Sequence, residues 1–182
     1  IPVSTAAGST YQIAISAMSG NVWDYSDGNF TITASPTVTV TAPNGGETWG
    51  VGATSKRISW SAAGTFSSFD VELSRDGGST WSTLAGGLGG SSTFYDWGTV
   101  TGPGAATARV RVVGSHSGGS STDASDANFT IGQLQLTSPN GGQSWQAGST
   151  QSITWTSTAV TGLIQIQPYL NGVAQAVITV PA

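Results

Sequence analysis

The stretch TVTVTAPNGGETWGVGATSKRISW, Thr37 to Trp60, decides how the chain is to be read. It opens with Val38 and Val40 at alternate positions, stops at Pro43, turns at Asn44-Gly45-Gly46, and resumes with Trp49, Gly52, Ile58 and Trp60. A period of two belongs to a strand with one buried face; a helix would repeat its apolar residues every three or four positions. Proline cannot donate to a strand ladder, so Pro43 ends the first strand. Asn44-Gly45 is expected to supply the positive φ angles of a tight turn.

The same phrase comes back as LQLTSPNGGQSWQAGSTQSITW, Leu134 to Trp155, with Pro139 standing 96 positions beyond Pro43. Other phrases recur too. SDGNFTI, Ser26 to Ile32, returns as SDANFTI, Ser125 to Ile131; YQIAI, Tyr11 to Ile15, corresponds to ARVRV, Ala108 to Val112; and the turn Asp76-Gly77 faces Asn171-Gly172. Offsets between 95 and 99 describe one repeating unit of about 97 residues, the size of a β-sandwich. The unit starts near Pro36. The chain is therefore expected to hold the C-terminal part of one repeat (1–35), a complete repeat (36–133) and the N-terminal part of another (134–182), with short linkers at Ala34-Ser35-Pro36 and Gly132-Gln133. Alternation continues in Phe69, Val71 and Leu73, in Val110 and Val112, and in Phe129 and Ile131. No segment has helical spacing, so the unit is expected to be all-β with about seven strands, joined by glycine-rich turns.

Composition narrows the function. Charged residues make up only 8% of the 182, while 26 Ser and 25 Thr provide the polarity, a bias of secreted surface proteins. Five basic residues and a net charge of −4 leave little to neutralise a phosphate backbone, which sets nucleic acid aside. The lack of cysteine removes disulfides, thiolate metal sites and thiol nucleophiles. No apolar run reaches the roughly 20 residues of a membrane span. Residues 1–10 lack the basic-then-apolar order of a secretion signal, so a secreted protein is expected to carry its signal outside this stretch.

Candidate sites are few. Trp60 and Trp155 alternate with isoleucine and are expected to fill sandwich centres, with a sugar-stacking platform as the other reading. Trp81, Trp23 and Tyr25 are the candidates for contact with a glycan, each weighed against an aromatic that covers a sandwich edge. Asp24 and Asp27, and Asp123 and Asp126, occupy one place in two copies of the repeat. Carboxylates grouped in a loop suit Ca²⁺, though aspartate is equally an ordinary turn-fixing residue. Asn29 and Asn128 fit the N-x-Thr acceptor pattern for glycosylation. Catalysis has little to build on: His116 is the only histidine and reads as a solvated loop residue, and Glu47 is replaced by Gln143 in its copy.

The run from Thr37 to Trp60 and its copy from Leu134 resemble the start of a family of Ig-like repeats in secreted and surface proteins. That family includes the Ser/Thr-rich GPI-anchored proteins of fungi, related to the fungal cell-wall β-glucan synthesis proteins, and many bacterial multidomain exoproteins. Its strand, Pro-x-Gly-Gly-Glu-x-Trp, Gly and Ile-x-Trp are met at Pro43, Gly45, Gly46, Glu47, Trp49, Gly52, Ile58 and Trp60. Asp76-Gly77-Gly78 and Ser125-Asp126, Phe129 and Ile131 complete the pattern, and Gln143 departs from it. The resemblance implies tandem Ig-like or fibronectin III-like antiparallel β-sandwiches outside the cell, acting as stalk, spacer or adhesive module, without enzymatic activity or cofactor. Its partners would be neighbouring repeats or copies of itself, and cell-surface polysaccharide if the alternative holds: a carbohydrate-binding accessory module of a secreted polysaccharide-degrading enzyme.

Overall fold

The computed structural model describes residues 5–20 and 22–181, and every regular element among them is a β-strand. Four short strands come first: β1 (Gly8–Tyr11), β2 (Ala14–Ser16), β3 (Trp23–Tyr25) and β4 (Phe30–Ile32). The central region holds β5 (Thr37–Ala42), β6 (Thr48–Gly50), β7 (Thr54–Ala63), β8 (Ser68–Ser74), β9 (Ser82–Gly89), β10 (Phe94–Thr99), β11 (Ala105–His116), β12 (Gly119–Ala124) and β13 (Phe129–Ser138). After it come β14 (Thr154–Thr158), β15 (Leu163–Ile166), β16 (Tyr169–Leu170), β17 (Val173–Ala174) and β18 (Ile178–Pro181).

The central nine strands follow about seven paths, because the first and last paths are each broken in two. Pro43 to Glu47 separates β5 from β6, and Ser125 to Asn128 separates β12 from β13. One sheet has the order β10-β7-β5. The other has β9-β8-β11-β13, with β12 alongside the far half of β11 and β6 lying parallel on β13. The first path thus starts in one sheet, with β5 at its edge, and finishes in the other, with β6 on β13.

Alternation decides what lies between the sheets. Val40, Ile58 and Trp60 from one sheet meet Phe69, Val71, Leu73, Val110, Val112, Phe129 and Ile131 from the other, all 3% exposed or less. Burying each such side chain stabilises by roughly 1.5–3 kcal/mol. Trp49 and Trp97 join them, with Trp49 set 5.1 Å from Phe129 and 6.2 Å from Trp97 between ring centroids. The indole N–H of Trp60 is buried without an acceptor among the described residues. Gly114 is needed on β11, since a Cβ there would stand 2.6 Å from the Phe66 ring.

The flanking strands repeat the central pairings. Ala105 faces Ile131 and Ala108 faces Phe129 in the centre; Gly8 faces Ile32 and Tyr11 faces Phe30 before it. Val112 opposite Asp123 has its copy in Ile15 opposite Asp24. On the other side, Val38–Ala62 and Val40–Trp60 recur as Leu134–Ser157 and Leu136–Trp155, and even the register shift after the fourth residue is shared. One difference separates the two junctions. The first contains Pro36, and the chain is out of strand from residue 33 to 36; the second has Gln133, and β13 runs straight through it. By the shared register Gln133 corresponds to Thr37, and the second junction is three residues shorter, from Ile131 to Leu134 against Ile32 to Val38.

Candidate functional site

The two recurring phrases, 82 residues apart, are halves of one joint. Ser125 is buried at the break between β12 and β13; its hydroxyl donates to the Pro43 carbonyl (2.8 Å) and accepts the Val110 N–H (3.1 Å). Next to it, the Asn44 side chain pairs twice with Asp126: its amide nitrogen donates to the carboxylate (2.6 Å) and its oxygen accepts the Asp126 N–H (2.7 Å). The Ala127 N–H reaches the Asn44 carbonyl and the Gly46 N–H the Asn128 carbonyl. Glu47 closes the turn on itself, its two carboxylate oxygens accepting the Asn44 and Gly45 N–H groups at 2.8 Å each.

Gly45 and Gly46, rather than Asn44, carry the positive φ angles, 133° and 83°. The joint also limits Gly45 by space, because a Cβ there would lie 2.6 Å from that of Ala127. Gly141 and Gly142 in the second copy have φ of 105° and 73°, so the turn keeps its shape there with glutamine for glutamate.

The acidic residues therefore serve the fold in the central unit. Asp126 binds Asn44, and Asp123, pointing inward beside Val112, accepts the Val40 N–H at 2.7 Å, tying the last path to the first. Asp24 and Asp27 are exposed, and their carboxylates have no hydrogen-bond partner among the described residues. No group of three or more His, Cys, Asp or Glu able to hold a metal is assembled among those residues.

Of the candidate glycan-contacting aromatics, Trp81 is half-buried on the outer face of the larger sheet, with the Arg111 guanidinium 4.5 Å over its ring. Arg111 is paired in turn with Glu72. One ring face of Trp81 is thus occupied by a cation. Trp23 and Tyr25 stand differently, 59% and 60% exposed. They lie opposite Ser16 and Ala14, on the face away from Ile15 and Asp24. Asn29 is exposed, whereas the side-chain oxygen of Asn128 accepts from Arg109 at 2.8 Å and holds that amide against the sheet.

One residue sits otherwise than expected. His116 ends β11 half-buried, its ring edge-on to Phe66 at 5.8 Å and its Nδ1 accepting the Gly118 N–H. A hairpin between β11 and β12 replaces the expected loop, because Ser115 and Ser120 pair across it. Trp97, on β10, is core.

The turn after β8 contains the most perturbed carboxyl group. Asp76 receives the Thr80 hydroxyl (2.6 Å) and N–H (2.9 Å) and the Ser74 hydroxyl (2.7 Å), which hold its pKa down to about 2. A folded pKa below the ordinary carboxylate value means that this stabilisation is complete above the ordinary range and is lost as pH falls through about 2. A carboxyl NMR titration of Asp76 is expected to show a midpoint near 2. A midpoint near the usual 3.9 would show that the turn's hydrogen bonds are not kept in solution.

No known protein family matches the chain, and comparisons with curated proteins and with solved structures find no match either.

Proposed function

We propose that the chain is a stretch of tandem immunoglobulin-like or fibronectin III-like sandwiches serving as a non-catalytic structural or adhesive module outside the cell. The observation that carries this reading is that each flank repeats the strand pairings of one half of the central stretch. The pairings of the C-terminal half of residues 36–133 recur in residues 5–33, those of its N-terminal half recur in residues 134–181 with the same register shift and turn glycines, and in the central stretch the polar residues of the phrases are consumed in joining strands. Three strand paths facing four support the Ig-like or fibronectin-like assignment. The Ser- and Thr-rich, weakly charged surface supports the extracellular setting.

A second reading, binding of polysaccharide, is favoured by Trp23 and Tyr25. Two exposed aromatics at alternate positions of a strand stand about 7 Å apart on one face, a spacing set by a rise of about 3.3 Å per residue. Pull-down on a panel of insoluble polysaccharides, with released sugar measured in parallel, separates the two. The module reading expects neither retention nor hydrolysis. Retention lost in Trp23→Ala and Tyr25→Ala would establish the binding module instead.

A further inference from the structure

Asn44-Gly45 is a reactive pair in any unfolded chain. In water the backbone nitrogen after an asparagine attacks the side-chain Cγ, closes a succinimide ring and expels ammonia; water then opens the ring to aspartate or isoaspartate. Attacking and leaving groups sit on neighbouring residues, so no second molecule has to be gathered for the first step. Glycine in the second place brings no Cβ to crowd the attack.

In the central unit both reacting groups are already engaged. The attacking nitrogen, that of Gly45, donates its N–H to the Glu47 carboxylate at 2.8 Å. The leaving nitrogen, Asn44 Nδ2, donates to the Asp126 carboxylate at 2.6 Å, and Asn44 Oδ1 accepts the Asp126 N–H at 2.7 Å. Ring closure requires the Gly45 nitrogen to lose its proton, and an anion bonded to that N–H opposes the loss. It also requires the Asn44 amide to swing onto its own backbone, which breaks both bonds to Asp126. The other Glu47 oxygen accepts the Asn44 N–H at 2.8 Å and holds the turn against that swing. Bonds to a charged partner are the strong ones.

We propose that Asn44 is a latent site of covalent modification: the closed joint keeps its amide intact, and an opened joint lets it convert to the succinimide and then to aspartate or isoaspartate. One C–N bond forms as another breaks, the Gly45 proton leaves with the ammonia, and one water is consumed when the ring opens. No oxidant or cofactor takes part.

Closing the joint again does not undo the change. Aspartate at position 44 places a second carboxylate where the amide nitrogen stands 2.6 Å from that of Asp126. Isoaspartate routes the main chain through the side-chain carbon and lengthens the link between β5 and β6 by one atom. The turn has no slack for it, because a Cβ on Gly45 would already lie 2.6 Å from that of Ala127, and the Ala127 N–H is bonded to the Asn44 carbonyl. A transient opening is thereby made permanent.

Trypsin provides the readout. The first basic residue is Lys56, and the fragment ending there contains Asn44-Gly45 as its one Asn-Gly pair, separate from those at Asn140 and Asn171. The 182-residue chain is held in mildly alkaline buffer, folded or unfolded in guanidinium chloride, and conversion in that fragment is followed by mass spectrometry. Each bond to a carboxylate is expected to slow the reaction about tenfold, so the folded chain converts about a hundredfold more slowly than the unfolded one. Equal rates in the two states would overturn the inference, as would an unfolded chain that keeps its amide. Glu47→Ala combined with Asp126→Ala is expected to speed conversion in the folded chain at least about tenfold, with tryptophan fluorescence reporting that the sandwich persists. A folded variant that converts no faster would overturn it too, and the wild-type comparison decides without the variant should the variant fail to fold. Asn44→Asp, which writes the conversion into the chain, is expected to lower the urea midpoint of the central transition; an unchanged midpoint would overturn the permanence of the change.

Discussion

Alanine in place of Phe129 is expected to destabilise the central sandwich by about 3–5 kcal/mol, the usual cost of truncating a buried phenylalanine. Phe129 has no exposed surface, opens β13 opposite Ala108, and lies against Trp49, the tryptophan of the opening phrase. Its removal leaves a cavity under the joint where both sheets and the crossing strand β6 converge. Against a typical total of 5–15 kcal/mol, that is a large fraction, and urea unfolding followed by tryptophan fluorescence would measure it. The same substitution at Phe30 provides the control. Phe30 is only half-buried, on a separate hairpin, so the central transition is expected to stay in place. A loss below about 1 kcal/mol at Phe129 would mean that Trp49 collapses into the space, contrary to the tight setting described above.

Ser125→Ala ranks second. The change is small in volume, yet it strands the Val110 N–H and the Pro43 carbonyl in a buried place. Each unsatisfied buried group costs about 1–3 kcal/mol, so the pair is expected to cost about 2–6 kcal/mol. The lowered urea midpoint would be accompanied by faster amide exchange at Val110. Unchanged exchange at that position would show that the hydroxyl is not what holds the amide.

Much of this fold is legible in the sequence, and what is hidden has a common cause. Period-two alternation marks the buried faces of β7, β8 and β11, since the pleat leaves a strand no other choice. The recurrence is visible because each flank obeys the geometry of the half of the central stretch that it matches. That the phrases Pro43–Trp49 and Ser125–Ile131 are a single joint is not visible. Hydrogen bonds between residues 82 apart have no periodicity, and each phrase read alone is only a turn. Asp123 misleads for a related reason: a carboxylate before the last strand looks like a loop ligand until the Val40 N–H is found opposite it. Trp81 looks free until Arg111, thirty positions on, is placed over its ring. The junction from Ile131 to Leu134 is three residues shorter than that from Ile32 to Val38, and only across the shorter one does a strand pass unbroken.

The parallel seating of β6 on β13 has a mechanical meaning. Tension on the polypeptide would arrive through β5 and leave along β13, dragging β6 and β13 past each other lengthwise. The Thr130 N–H on the Glu47 carbonyl and the Val51 N–H on the Gly132 carbonyl, both 2.8 Å, lie across that direction of slip. Such bonds share the pull and must yield together, whereas a hairpin peeled from its open end surrenders its bonds one at a time. In the proposed module, a row of such units would act as a tether whose links are locked in shear.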